Sequence, residues 1–171
     1  MNLFNIELNP IGFVKTELSD DEIKNKMFCG FEAEIEIFEK YSEGLEGIDD
    51  FSHLLVLFYL HKVTKEQRKL LKARPRRLVK FGLTLEELPL LGVFCLDSPH
   101  RPNPIGLSVV KLLGRKGRIL RVEGLDAFNE TPVIDLKPYS PIRKVEKLKL
   151  PKWYEDTITK IKAKGYNILD F

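Results

Sequence analysis

Cysteine is scarce in this sequence. Cys29 and Cys95 are the only two in 171 residues, and their separation matches no metal-ligand spacing. That argues against a disulfide-stapled scaffold and a thiolate metal site, and it points to a reducing, cytoplasmic setting. Long apolar runs are missing as well. The longest, Leu54 to Leu60, is far too short to span a bilayer, so no membrane role is expected. Met1-Asn2-Leu3-Phe4 has neither a basic flank nor a long apolar stretch, so no secretory signal is expected. No strand–GxGxxG–helix unit and no P-loop occurs, which weighs against a Rossmann or phosphate-cradling nucleotide site. Glutamine is nearly absent. Gln67 stands alone in a Lys/Glu-rich chain, a composition familiar from thermophiles.

What is present suits one domain with a real core. The chain is 43% hydrophobic and 31% charged, with a net charge of +3. The charge is patchy. Glu32, Glu34, Glu36, Glu39, Glu43 and Glu46 make one acidic stretch. Lys69, Lys72, Arg74, Arg76, Arg77 and Lys80 make a basic one, as do Arg115 to Arg121 and Arg143 to Lys152. Separated basic patches can track a folded RNA, although surface charge of this density also serves solubility alone.

Patterning predicts mostly strands. Ile11 to Lys15 is a short one, and Ser19 with Glu22 forms a capping-box signature for a helical turn to Lys26. Phe31 to Phe38 alternates cleanly, with Glu32, Glu34 and Glu36 on a wet face. Leu54 to Leu60 lacks alternation and reads as a central strand buried on both faces. Thr64 with Gln67 opens a helix that Arg74-Pro75 should stop. Gly92 to Leu96, Leu107 to Leu113, Arg118 to Leu125 and Val133 to Leu136 read as further strands. Pro151 to Lys164 reads as a helix stopped by Gly165. The expected fold is therefore mainly β, a small β-barrel with short helices and a C-terminal helix. Residues 1–145 form the expected barrel domain and 146–171 a helical extension.

Ser98-Pro99-His100-Arg101-Pro102-Asn103-Pro104 carries three prolines in six residues. Each fixes φ and removes a donor, so the segment is a stiff loop presenting His100, Arg101 and Asn103 between two predicted strands. Metal chemistry has little support. His53 and His61 are separated by roughly 26 Å of extended chain and cannot share an ion. Neither cysteine has a cue for a paired base. Polar residues gather instead at His61-Lys62, Ser98 to Asn103, and Asn129-Glu130-Thr131, a set suited to recognising a polar small molecule. A closed barrel could bring these loops to one rim.

The stretch Ser98 to Ser108, PHRPNPIGLS at its heart, resembles the signature of the TrmO family, also known as YaeB or TsaA-like proteins. Supporting matches follow in order: Ile11 to Lys15, Gly44-Leu45-Glu46-Gly47-Ile48, Phe51-Ser52-His53-Leu54, Arg74-Pro75, Gly92-Val93-Phe94, and Thr131 to Tyr139. The likeness covers about residues 9 to 142. It implies a β-barrel unlike the Rossmann methyltransferases, working as a homodimer with S-adenosyl-L-methionine near the subunit interface. The implied activity is methylation of N6 of threonylcarbamoyl-adenosine beside the anticodon of tRNA. Family cofactor positions map onto His61, Lys62, Asp97, Leu107, Phe128, Asn129, Glu130 and Thr131. Two of these depart from the pattern: Asp97 stands where the family has Arg, and Glu130 where it has Gly. Met27 to Cys29 also lacks the family's Pro/Gln/Gly pattern.

On this reading Arg101 and Asn103 orient the substrate's threonyl carboxylate and carbamoyl group. Arg74, Arg76, Arg77 and Lys80 dock the anticodon stem-loop. No metal is implied, and no residue is identified as a general base, although Asp135 is one option. Two alternatives stand beside it: a methyltransferase with another acceptor, and a non-catalytic dimeric module that binds an adenosine-type ligand or RNA.

Overall fold

A computed structural model of the chain describes residues 6–26 and 30–166. In chain order these contain β1 (Gly12–Lys15), α1 (Asp20–Lys26), β2 (Glu32–Ile37), β3 (His53–Tyr59), α2 (Lys65–Arg68), β4 (Lys72–Ala73) and β5 (Leu91–Gly92). Then come β6 (Ile105–Lys116), β7 (Ile119–Glu123), β8 (Pro132–Pro138) and α3 (Lys152–Ala163). Six of the strands close an antiparallel barrel in the order β1-β2-β7-β6-β3-β8, and β4 pairs with β5 in a separate ribbon. Closure comes from Gly12 opposite Val133 and Phe13 opposite Pro132. The small β-barrel with short helices and a C-terminal helix is the fold expected from the sequence.

Alternation fills the barrel. Ala33, Ile35 and Ile37 of β2 point inward with Leu54, Val56 and Phe58 of β3, Val110 of β6, Leu120 and Val122 of β7, and Val133 of β8. Gly106 marks the tightest approach. A Cβ built there would lie 2.2 Å from Cε2 of Phe58, so the glycine of the Pro-Ile-Gly motif is a packing requirement. Both capping boxes form. Ser19 and Glu22 exchange bonds at the start of α1, and Thr64 and Gln67 do so at α2.

The chain divides into two compact units. One draws on Met1–His61 and Ile105–Ser140 and holds the barrel; the other draws on Lys62–Pro104 and Pro141–Phe171. In the second, Val63, Phe81, Leu83, Leu88, Val93 and Ile161 are buried. Tyr166 meets Phe81 edge-on at 5.8 Å, and Lys164 Nζ donates to the Gly82 carbonyl at 2.5 Å.

Four local expectations are corrected. Gly92 to Leu96 is not a strand. The ladder ends after β5, and Val93–Cys95 forms a 3-10 turn, closed by the Leu96 N–H on the Val93 carbonyl and braced by Arg101, which binds the Val93 and Leu96 carbonyls. Leu54 to Leu60 is bonded on both edges, by β6 and β8, but only its inner residues are fully buried. Its outer Leu55 and Leu57 are half-buried, as the outside of a single-layer barrel allows. The helix opened by Thr64 stops at Arg68, well before Arg74-Pro75. Glu36 is not on a wet face: Lys15 and Arg118 cover it, and their cations hold its carboxyl below the usual glutamate range.

Candidate functional site

In the barrel unit, one rim gathers the end of β1, the residues just past β3, and the turn before β8. The turn is held by its backbone. Thr131 N–H donates to the Phe128 carbonyl at 3.2 Å, Glu130 N–H to that of Val14 at 2.9 Å, and Val14 N–H to that of Thr131 at 3.0 Å. The Asn129 side chain fastens it further, its Oδ1 accepting from Thr16 N–H at 3.0 Å. Thr131 is buried, and its hydroxyl lies 3.4 Å from His61 Nδ1. Phe128 packs half-buried on the core with Lys24 Nζ 6.0 Å from its ring centroid. The structure therefore joins His61, Asn129 and Thr131 into one bonded arrangement and places Phe128 and Glu130 in the same turn.

Glu130 is the one non-glycine residue with positive φ among those described, at 60°. An L side chain is strained there, which explains physically why a glycine suits this turn. Leu107 lies on the outer barrel face, 64% exposed, opposite Leu57 of β3. Its neighbour Ser108 is buried and accepts from the Asp126 N–H at 3.4 Å.

The proline loop belongs to the second unit, and Arg101 is its brace. Nε donates to the Ser98 carbonyl at 2.9 Å, while Nη2 donates to those of Val93, at 2.9 Å, and Leu96. A guanidinium carries five N–H groups, so these bonds leave the two on Nη1. His100 N–H closes a short turn on Ser98 Oγ at 3.3 Å. Asn103 and Asp97 are exposed, as is Lys62. Sequence reasoning cast Arg101 only as a substrate-facing group and missed its hold on Val93 and Leu96. No spacing rule announces a bond that reaches back eight residues.

The four basic residues of the predicted RNA set differ in availability. Arg74 Nη1 donates to the Leu88 carbonyl and braces the unit from inside. Arg76 and Lys80 are exposed, and Arg77 is half-buried. Among the described residues no group of three or more His, Cys, Asp or Glu could hold a metal ion. No described helix is long and apolar enough to cross a membrane. A cavity of about 460 Å³ in the barrel unit, lined by Tyr41, Leu45, Phe51, Leu136 and Lys137 among others, includes Asp135 but none of the expected cofactor, substrate-orienting or RNA-docking residues. Met27 to Cys29, where the sequence departs from the family pattern, lie outside the described residues.

Residues 16–143 match the profile of the tRNA-methyltransferase O N-terminal domain. A protein of Archaeoglobus fulgidus named as a probable S-adenosyl-L-methionine-binding protein is 44% identical over 124 residues, covering 72% of this chain and 30% of that protein. The tRNA (adenine(37)-N6)-methyltransferase of Mus musculus is 39% identical over 103 residues, 60% of this chain and 22% of the mouse protein. A crystal structure of TrmO from Pseudomonas aeruginosa superposes with a TM-score of 0.65 at 26% identity, covering 88% of this chain and 62% of that one. The chain thus spans less than two thirds of the length of each of these three proteins.

Proposed function

This chain belongs to the tRNA-methyltransferase O family, and we propose that it is an S-adenosyl-L-methionine-dependent methyltransferase acting on tRNA. The acceptor in this reading is N6 of threonylcarbamoyl-adenosine next to the anticodon. The observation that carries it is the span of the family match: residues 16–143 take in every proposed cofactor and catalytic position. The likeness to a relative named for tRNA adenine methylation supports the acceptor.

The residues present suit a nucleoside-type cofactor. A half-buried aromatic, Phe128, offers a flat apolar surface, and the Thr131 hydroxyl with His61 offers hydrogen-bonding partners. Phe128 to Thr131 with His61, Lys62, Asp97 and Leu107 would hold the cofactor, which when bound supplies an electrophilic methyl group. By charge, Lys62 would suit the cofactor's carboxylate, and a carboxylate such as that of Asp97 or Glu130 would favour a sulfonium near it. Arg101 keeps the proline loop in one shape and offers Nη1 to the substrate's carboxylate, while the exposed Asn103 offers its amide to the carbamoyl group. Arg74, Arg76, Arg77 and Lys80 belong to the unit that meets the anticodon stem-loop.

The protein works as a cytoplasmic homodimer in this reading. An apolar stripe on the outside of the barrel supports association: Ile105, Leu107 and Val109 are 37%, 64% and 50% exposed. Residues 1–145 serve as the family domain and 146–171 as its helical extension.

Purified protein incubated with methyl-labelled cofactor and tRNA with or without threonylcarbamoyl-adenosine tests the reading. Label should enter one nucleoside, and only in the modified tRNA. Label in another nucleoside or a small molecule would establish a different acceptor, the alternative that the charge at Asp97 and Glu130 favours. No label at stoichiometric enzyme, with a cofactor-induced rise in Tm, would establish a binding module instead.

A further inference from the structure

Charge is divided between the two units far more sharply than the net value suggests. Of the 28 Lys and Arg residues, 18 fall in 62–104 and 141–171, and of the 25 Asp and Glu residues only 8 do. The second unit therefore carries +10 and the barrel unit −7. On that basic unit, Phe94 is 79% exposed and makes no ring contact among the described residues. It does not dangle from a loose loop. Val93 beneath it is buried, and the Val93 N–H is tied to the Leu71 carbonyl at 3.1 Å. The Leu96 N–H closes the turn on the Val93 carbonyl at 3.3 Å. Arg101 Nη2 then binds the Val93 and Leu96 carbonyls together, so the residues on either side of the exposed ring are fixed.

We infer that Phe94 is a base-stacking platform for an unpaired nucleotide of the RNA, an assignment that rests on the tRNA reading above. A rigidly held aromatic is what an unstacked base needs, because its ring gains a π-face contact without the cost of ordering a loop. The surroundings favour a polyanion over a second copy of the chain. Lys72, opposite Gly92 in the ribbon, is exposed beside the turn, as is Leu71, whose carbonyl the Val93 N–H meets. Two faces from units of +10 would repel each other, whereas phosphates are drawn to either. Asp97, the exposed acid after the turn, disfavours phosphate at that one point but leaves the balance of the unit strongly positive.

The test uses the full chain, an anticodon stem-loop RNA as probe, and the variants Phe94→Ala and Phe94→Tyr. Because the ring is exposed, neither variant should alter Tm. Phe94→Ala should weaken RNA affinity about 10-fold and raise KM for tRNA with little change in cofactor binding, and Phe94→Tyr should restore both. Phe94→Trp in a Trp153→Phe background should show indole quenching when RNA is added. If wild-type protein methylates tRNA but Phe94→Ala binds RNA with unchanged Kd, the inference is overturned and the methyltransferase reading stands. A Phe94→Ala change in sedimentation with unchanged RNA affinity would make the ring a protein contact and likewise overturn it. Wild-type protein that neither binds nor methylates RNA would remove the reading and the inference together.

Discussion

The barrel unit and the second unit keep their shapes by different means. The barrel rests on strand ladders and a core in which Ile35, Leu54, Val56 and Val122 are wholly excluded from water. The second unit has a two-residue ribbon, short helical turns and the 12-residue α3, and arginine side chains bind its loops through their carbonyls: Arg74 to Leu88, and Arg101 to Val93, Leu96 and Ser98. One unit is acidic and the other strongly basic. The difference teaches that a barrel can supply a fixed rim for a small ligand while an appended, side-chain-braced unit carries the positive charge a polynucleotide requires.

The sharpest way to break the comparison is to overfill the barrel. Gly106→Ala places a Cβ against the Phe58 ring, and it should cost about 3 kcal/mol of unfolding free energy. The denaturation midpoint should fall with an unchanged m-value. Arg101→Ala should act elsewhere. Losing the brace should cost about 2 kcal/mol locally and greatly reduce turnover. Hydrogen exchange should then rise around Val93–Leu96 while β2, β3 and β7 stay protected. Equal exchange across both units would mean that the second unit has no independent bracing.

Much of the barrel was legible because alternation and capping are local. Ala33, Ile35 and Ile37 set the period of β2, and Ser19–Glu22 and Thr64–Gln67 announced their helical turns. Long-range bonds were not legible. Nothing near Gly92 to Leu96 reveals that Arg101 will draw its carbonyls into a turn, and nothing near Glu36 reveals that Arg118 will cover it. At the site, Asn129 and Thr131 were legible as polar residues of a loop. Their roles as ties to Thr16 and His61 depend on barrel closure. The charge division is not legible in the sequence because two separate stretches of chain compose the basic unit.

Smaller effects sharpen the comparison. Glu130→Gly should relieve the strained backbone and stabilise the barrel by about 0.5–1 kcal/mol, the gain being reduced by the greater freedom of glycine in the unfolded chain. A thermal melt reads this as a Tm increase of a few degrees, and a decrease would mean that the Glu130 side chain holds the turn. Acid provides the smallest change at any one group. Glu36, Asp49, Asp21 and Glu22 of the barrel are held below their ordinary range, chiefly by hydrogen bonds from Lys15, Arg115, Lys24 and Ser19 respectively. In the second unit, Glu87 is lowered by Thr84 and Lys164. For a depressed carboxyl the unfolded state takes up protons first, so the stabilisation is complete above the ordinary value, 4.5 for glutamate and 3.8 for aspartate, and is lost as pH falls through the folded value. Melts from pH 7 to pH 3 should be flat to about pH 5 and then decline. Glu36→Gln should flatten that decline slightly.

The central proposal is that RNA meets the basic unit while the barrel rim supplies most of the cofactor residues. Photo-cross-linking of 4-thiouridine-substituted tRNA to the full chain, followed by peptide mapping, tests it most directly. The account predicts cross-links concentrated in 62–104 and 141–166, including the peptide with Phe94. Cross-links concentrated on the acidic strands β2 and β7, with none in the basic unit, would contradict it.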